Sequence, residues 1–228
     1  METIVVSVGG SIIVPSGIDY NFLVSLRKTA VEISKKHKLV ICTGGGHTAR
    51  EYITALRKAG ADNQTQDIAG IDATRLNARL VASFISAGKK AKCSIEIPKS
   101  LEEINHMLKT NNIVVCGGLG PGKTSDGTTA DIARFLKAKA MYNLTNVKGL
   151  FDKDPSVNKK AKFISNISRE DFRKIMSMVH EKPGQHFVLD SYAEKIAREA
   201  RIRVVILKGM GNLLKAVEGK KFVGTIIE

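Results

Sequence analysis

Residues 39–52 read LVICTGGGHTAREY. The run LVICT has the apolar, β-rich content of a strand, the triple glycine interrupts it, and amphipathic helical spacing follows from about His47 to Lys58, with Ala49, Tyr52, Ile53 and Leu56 on one face. A strand, a glycine turn and a helix in that order is the repeating unit of an α/β protein.

The unit recurs on both sides. IVVSV precedes a helix near Tyr20 to Lys36, and a helix from about Ile71 to Ser86 turns Leu76 and Leu80 inward. Further on come a strand at Ala91 to Ile97, a helix at Ser100 to Leu108, a strand at Ile113 to Cys116, a helix from Asp126 to Lys137 and a strand at Ala140 to Leu144. The stretch FDKDPSVNKKAKF (residues 151–163) is charged and carries Asp-Pro, the mark of a surface loop. Two helices follow, one with Ser168 as N-cap and Asp171 three residues on, the other with Ser191 and Glu194 at the same spacing. A strand at Val204 to Lys208, a helix from Asn212 to Val217 and a strand from Phe222 to Ile227 complete the chain. Strands separated by helices need crossover connections, so the expectation is an α/β fold, a three-layer αβα sandwich with a mainly parallel central sheet. Its ligands belong at the carboxyl ends of the strands.

With 228 residues and 43% hydrophobic content, the chain can bury one large core. The start, METIVVSVGG, lacks the basic and long apolar segments of a signal peptide, and no apolar run is long enough to span a bilayer, which points to a cytoplasmic protein. Cys42, Cys93 and Cys116 are far apart in apolar surroundings and read as buried reduced thiols. A net charge of +14 suggests an anionic partner. The lysine pairs Lys35-Lys36, Lys89-Lys90, Lys159-Lys160 and Lys220-Lys221 have no interleaved aromatic residues, so they read as solvated surface and speak against nucleic acid.

Three glycine clusters follow strands: Gly9-Gly10-Ser11, Gly44-Gly45-Gly46, and Gly117-Gly118 through Gly122. Glycine lets backbone N–H groups approach phosphate oxygens, and a following helix N-terminus favours an anion. One cluster alone is an ordinary turn; three imply several phosphates. Arg50, one turn into its helix, can reach back to hold phosphate bidentately.

Residues 117–124 also match the P-loop pattern G-x-x-x-x-G-K-[ST]. That reading is rejected. Gly127 weakens a helix starting at Lys123, the match comes halfway along the chain, and no downstream strand ends in a metal-binding aspartate.

Six stretches in order, VSVGGS (6–11), TGGGHTAREY (43–52), DIAGIDATRLNA (67–78), CGGLGPGKTSDGTTADIA (116–133), LTNVKGLFDKDP (144–155) and LDSYAEKIAREARIRVVI (189–206), resemble archaeal-type uridylate kinases of the amino acid kinase family over nearly the whole chain. The resemblance implies one amino acid kinase domain over residues 1–228, with an acceptor-binding lobe to about residue 140 and an ATP-binding lobe beyond it. It implies transfer of the γ-phosphate of ATP to UMP, giving UDP and ADP in pyrimidine nucleotide biosynthesis, with Mg²⁺ carried by ATP and a homohexameric assembly.

By the same resemblance, Gly9, Gly10 and Ser11 meet the transferred phosphate, assisted by Gly46 and Arg50, while Thr145, Phe151 and Asp154 hold the base and ribose of ATP. Gly45, Asp67 and the segment Leu119, Gly120, Pro121, Gly122, Lys123, Thr124 and Ser125 hold UMP. Lys195 supplies a mobile charge for the γ-phosphate, with Lys123 as second candidate, because Ser7 and Val8 stand where many amino acid kinases carry a basic residue. Asp126 orients the cations, with a helix cap as its plain alternative. Lys148 replaces a usual aspartate, and Gly120 and Lys123 replace two usual histidines. A phosphate acceptor is largely dianionic at neutral pH and needs no general base, in keeping with a structural or surface reading of His37, His47, His106, His180 and His186. Two alternatives stay open: the same fold with another acceptor, and a non-catalytic basic protein that binds nucleotide or RNA.

Overall fold

The structure, a computed structural model, describes residues 1–153, 158–179 and 189–228. Asp154, His180 and His186 lie outside the described residues. In chain order the elements are β1 (Thr3–Val8), α1 (Gly10–Ile13), α2 (Tyr20–Ser34), β2 (Lys38–Thr43), α3 (Gly46–Lys58), α4 (Asn63–Ala87), α5 (Leu101–Thr110), β3 (Ile113–Cys116) and α6 (Ser125–Phe135). Next come β4 (Ala140–Leu144), β5 (Leu150–Phe151), β6 (Phe163–Ile164), β7 (Asn166–Ile167), α7 (Arg169–Val179), α8 (Ser191–Glu199), β8 (Arg203–Leu207), α9 (Met210–Val217) and β9 (Gly224–Ile227).

Seven strands form one sheet in the order β3-β2-β1-β4-β8-β9-β7, parallel throughout except where β8 meets β9. Alternation along β1 separates the two cores. Ile4, Val6 and Val8 pack with α2, α4 and α9, whereas Val5 joins the opposite layer with residues of α5, α6, α7 and α8. The three-layer αβα arrangement is therefore as the sequence led us to expect. Among the described residues, no helix is long and apolar enough to cross a membrane.

Local departures have local causes. Residues 91–97 make only the bridge Cys93↔Ile113, because the Ser94 hydroxyl accepts from the Glu96 N–H and bends the chain away from the ladder. The charged stretch after Gly149 holds short strands: β5 pairs antiparallel with β6, and β7 then joins the sheet edge beside β9. Asp190, not Ser191, caps α8 by accepting from the Ala193 N–H, while Ser168 does receive the N–H of Asp171. Tyr52 and Leu76, expected inward, are each 62% exposed. Cys42 and Cys116 are buried and free, and register places them side by side across β2 and β3; Cys93 is only half-buried.

Strand register sets where the glycine loops emerge. Pairing of Val8 with Thr43 and with Leu144 brings the ends of β1, β2 and β4 level, and β3 ends beside them at Cys116. The loops after these strands thus leave from one rim. There Gly10 presses so close to the triple glycine that a Cβ would fall 2.1 Å from the Gly46 nitrogen and 2.5 Å from the Gly44 carbonyl carbon. Backbone on both sides cannot yield, so Gly10→Ala is expected to lower unfolding free energy by more than about 3 kcal/mol. Gly17→Ala, which has nothing within 4 Å of the added carbon, is the control and should stay within about 0.5 kcal/mol in urea melts.

Candidate active site

The rim site is built on the contact between the first two glycine loops. Gly46 adopts φ +62, a left-handed conformation that suits glycine, and turns the chain into α3. The buried Asn77 of α4 donates from Nδ2 to the carbonyls of Gly44 (2.8 Å) and Gly45 (3.1 Å), which fixes the loop from beneath, while the Gly44 N–H is taken by the Val8 carbonyl at 3.0 Å. Arg50 lies on the exposed side of α3 and has no hydrogen bond or ion pair among the described residues.

The third loop is anchored by threonines. Thr43 at the end of β2 donates to the Thr74 carbonyl (2.9 Å), and Thr74 Oγ1 accepts the Gly118 N–H (2.7 Å) while donating to the Ile71 carbonyl (2.6 Å). A Cβ on Gly117 would meet Thr74 Oγ1 at 2.6 Å, so glycine is required there too. Between this loop, α3 and α4 opens a cleft of about 210 Å³. Gly45, Asp67, Pro121, Gly122, Lys123, Thr124 and Ser125 all line it, and Asp67 accepts the Gly122 N–H at 3.1 Å. Leu119 and Gly120 instead line an adjoining hollow on the other side of Lys123.

Asp126 sits where this cleft meets the β1 loop. Thr124 takes the cap of α6, accepting from the Gly127 N–H, so the Asp126 carboxylate is free for other partners. It receives the Ser7 hydroxyl at 2.8 Å and the Asn143 amide at 3.1 Å, two residues that register pairs across β1 and β4. Burial of the carboxyl outweighs these bonds and, with the nearby Asp190 charge, pushes its pKa up to about 6.

The remaining candidates are spread along the rim. Gly9 donates its N–H to the Leu144 carbonyl and Ser11 is exposed on α1. Thr145 follows β4, with its N–H on the Leu207 carbonyl, and Phe151 packs edge-on against Phe163 at 5.5 Å. Lys148 is exposed between them. Lys195 is exposed on α8, the helix whose cap, Asp190, also accepts the Thr124 hydroxyl. Lys123 turns away from the glycine loop onto Asp131 at 2.6 Å, which is not how a P-loop lysine behaves, and its strand β3 is a sheet edge.

The family model for the amino acid kinase family matches residues 2–208. This chain belongs to that family. Within it, the chain is 35% identical to a uridylate kinase of Archaeoglobus fulgidus over 226 residues, covering 98% of this chain and 99% of that one. A Thermoplasma acidophilum uridylate kinase is 34% identical over 228 residues, 100% of this chain and 97% of the relative. The crystal structure of the Archaeoglobus fulgidus uridylate kinase superposes with a TM-score of 0.88 at 33% identity over all of both chains. A UMP kinase structure from Ureaplasma parvum, 20% identical with a TM-score of 0.81 over 100% of this chain and 98% of that one, shares the fold.

Several residues of this amino acid kinase site escaped sequence reading. Thr74 and Asn77 follow Asp67, Gly70 and Ile71 at helical spacing, so one face of α4 carries the whole set. Ser7 and Asn143 are polar residues near the carboxyl ends of otherwise apolar strands, a signal that was available. Asp126 also yields a pH prediction. Its folded pKa, about 6, exceeds its ordinary 3.8, so the native state holds the extra proton and stability declines as pH rises through that interval. Asp126→Asn is expected to raise stability at pH 8 by about 1–2 kcal/mol, allowing for the part of the residue that still meets solvent, and to flatten the profile between about pH 4 and 7 in urea titrations.

Proposed function

We propose that this amino acid kinase phosphorylates UMP, taking the γ-phosphate of ATP and releasing UDP and ADP in pyrimidine nucleotide biosynthesis in the cytoplasm. The observation that carries the reading is the convergence of three glycine loops at one rim, with a cleft bounded by Asp67 and residues 121–125 opening beside Asp126. UMP takes that cleft, held by Gly45, Asp67 and the 119–125 loop. ATP lies across the β1 and β4 loops, its phosphates toward Gly9, Gly10, Ser11 and Gly46 and its base and ribose toward Thr145, Phe151 and Asp154. Roughly residues 1–140 thus hold the acceptor and roughly 141–228 the donor.

Phosphoryl transfer asks for alignment and charge neutralisation. The acceptor phosphate, already dianionic, needs no base, so Asp126 serves by its charge. The described residues contain no cluster of three metal-ligating side chains, and both oxygens of Asp126 already accept hydrogen bonds. Such a donor set would fit a Mg²⁺ ion brought in with the triphosphate rather than one held by the protein alone, and Asp126 is the residue that would orient it. When bound, that ion supplies neutralisation of β- and γ-phosphate charge. Arg50 and Lys195, exposed on α3 and α8, close on the transferring group from the two ends of the site.

A panel of nucleoside monophosphates with ATP and a divalent cation tests the reading: turnover is expected with UMP above all others, and none with any monophosphate would overturn it. Arg50→Ala should lower kcat/KM by about 10–150-fold, the loss of one charge-assisted phosphate contact.

Self-assembly belongs to the same proposal, a homohexamer by resemblance. Tyr52 on α3 and Ile68 and Leu76 on α4 are large, apolar and 49–62% exposed, surface that a second copy can cover. Light scattering should give a mass above that of one chain, and Tyr52→Asp should reduce it.

A further inference from the structure

Behind the 119–125 loop, Lys123 joins three side chains, Asp131, Arg134 and Tyr192, that the reaction as described leaves without a role. Asp131, in the second turn of α6, keeps a side chain only 7% exposed. Its Oδ2 accepts from Lys123 Nζ at 2.6 Å and its Oδ1 from Arg134 Nη2 at 3.0 Å, while the Tyr192 hydroxyl reaches both oxygens at 3.1 Å. The Lys123 ammonium also stands over the Tyr192 ring, 5.1 Å from its centroid. Tyr192 comes from α8 and packs on Gly127, where a Cβ would touch the ring at 3.0 Å. The cluster therefore joins α8 to α6, the helix that continues from the 119–125 loop.

Lys123 is placed on a boundary. Lys123 lines both the rim cleft and the neighbouring hollow of about 260 Å³, whose lining includes Asp131. Lysine is a point charge on a flexible four-carbon stem, so one backbone position serves both sides. With its side chain 40% exposed, Lys123 is held by a partly screened ion pair, a weak tether by the standards of such pairs. The structure supplies a reason why leaving is tolerable. A buried carboxylate stripped of its sole cation is strongly destabilised, but Asp131 retains Arg134 and the Tyr192 hydroxyl. A phosphate monoester near pH 7 carries close to two negative charges, more than the one on Asp131, and competes well for the same ammonium.

We propose that Asp131 and Tyr192 are positioning residues that hold the Lys123 ammonium on the Asp131 side of the loop, and that the phosphate of the acceptor nucleotide draws it across into the cleft, so that this pair sets acceptor affinity. The inference rests on the UMP kinase reading above. It goes beyond it in making Lys123 a two-position residue whose resting partner opposes substrate binding. Lys123 belongs to the binding machinery; Asp131 and Tyr192 act only through it.

The two partners are expected to work in opposite directions. Asp131→Asn removes the competing anion and should tighten UMP binding, measured calorimetrically without ATP, by about two- to fivefold, with kcat changed less than twofold. Tyr192→Phe keeps the ring but strips a hydrogen bond from Asp131, which then holds Lys123 more strongly, so UMP binding should weaken by about two- to fivefold. Lys123→Met should weaken binding by about tenfold or more, and in that background Asp131→Asn should change nothing. A merely structural cluster would instead have both single variants weaken binding and lower kcat together. Unchanged or weaker binding in Asp131→Asn, or an equal effect with Lys123 absent, overturns the proposal. Should Asp131→Asn fail to fold, Tyr192→Phe decides alone, with unchanged or tighter binding counting against it. Wild-type protein that turns over no UMP would overturn the underlying reading and this one with it, whereas wild-type turnover with the wrong pattern of variants defeats only the docking role.

Discussion

Two backbones in direct contact, Gly10 against Gly44 to Gly46, are the constraint on which the site depends. Parallel pairing of β1 with β2 in register at Val8 and Thr43 makes both chains leave the sheet at the same height, and the absence of side chains lets them touch. Asn77 then ties the carbonyls of Gly44 and Gly45 down to α4. What remains on the open side is bare backbone at the N-terminus of α3, which a phosphate oxygen can approach without meeting a Cβ. Position and chemistry of the site thus both come from one close approach.

The second organising feature is electrostatic. Asp126 carries a charge in a place that resists it: burial raises its pKa, and the Ser7 and Asn143 hydrogen bonds only partly offset this. Such a group is poorly placed for stability and well placed for a reaction whose partners bring their own cations, a common conflict between fold and function. Asp190 adds a second negative charge nearby, at the cap of α8, and its contact with the Thr124 hydroxyl ties the 119–125 loop to that helix.

The net charge of +14 comes from 36 basic residues set against 22 acidic ones. Two of its lysines illustrate different fates: Lys195 is exposed on α8, whereas Lys123 is held by Asp131. Identical residue types a helix apart are thus not interchangeable. The difference comes from what the neighbouring helix offers, not from anything in the local sequence.

The α/β rhythm, the parallel sheet and the glycine clusters were legible because they depend on short-range rules: apolar periodicity, the need for crossovers and the punctuation of strands by glycine. The same rules failed where a local contact overrode them, as at residues 91–97, where a serine hydroxyl replaced the ladder, and after Gly149, where charge concealed three brief strands. Asp67 and the 121–125 loop were recognisable as a pair of motifs, and so was the order of all six family stretches. By itself, then, the sequence determined the layers, the family and where glycine interrupts the strands. Tertiary structure alone decided that Ser7 and Asn143 hold Asp126, that Asn77 anchors the glycine hub and that Lys123 faces Asp131 and Tyr192, because each of these contacts joins separate elements whose distance is set only by strand register and helix packing.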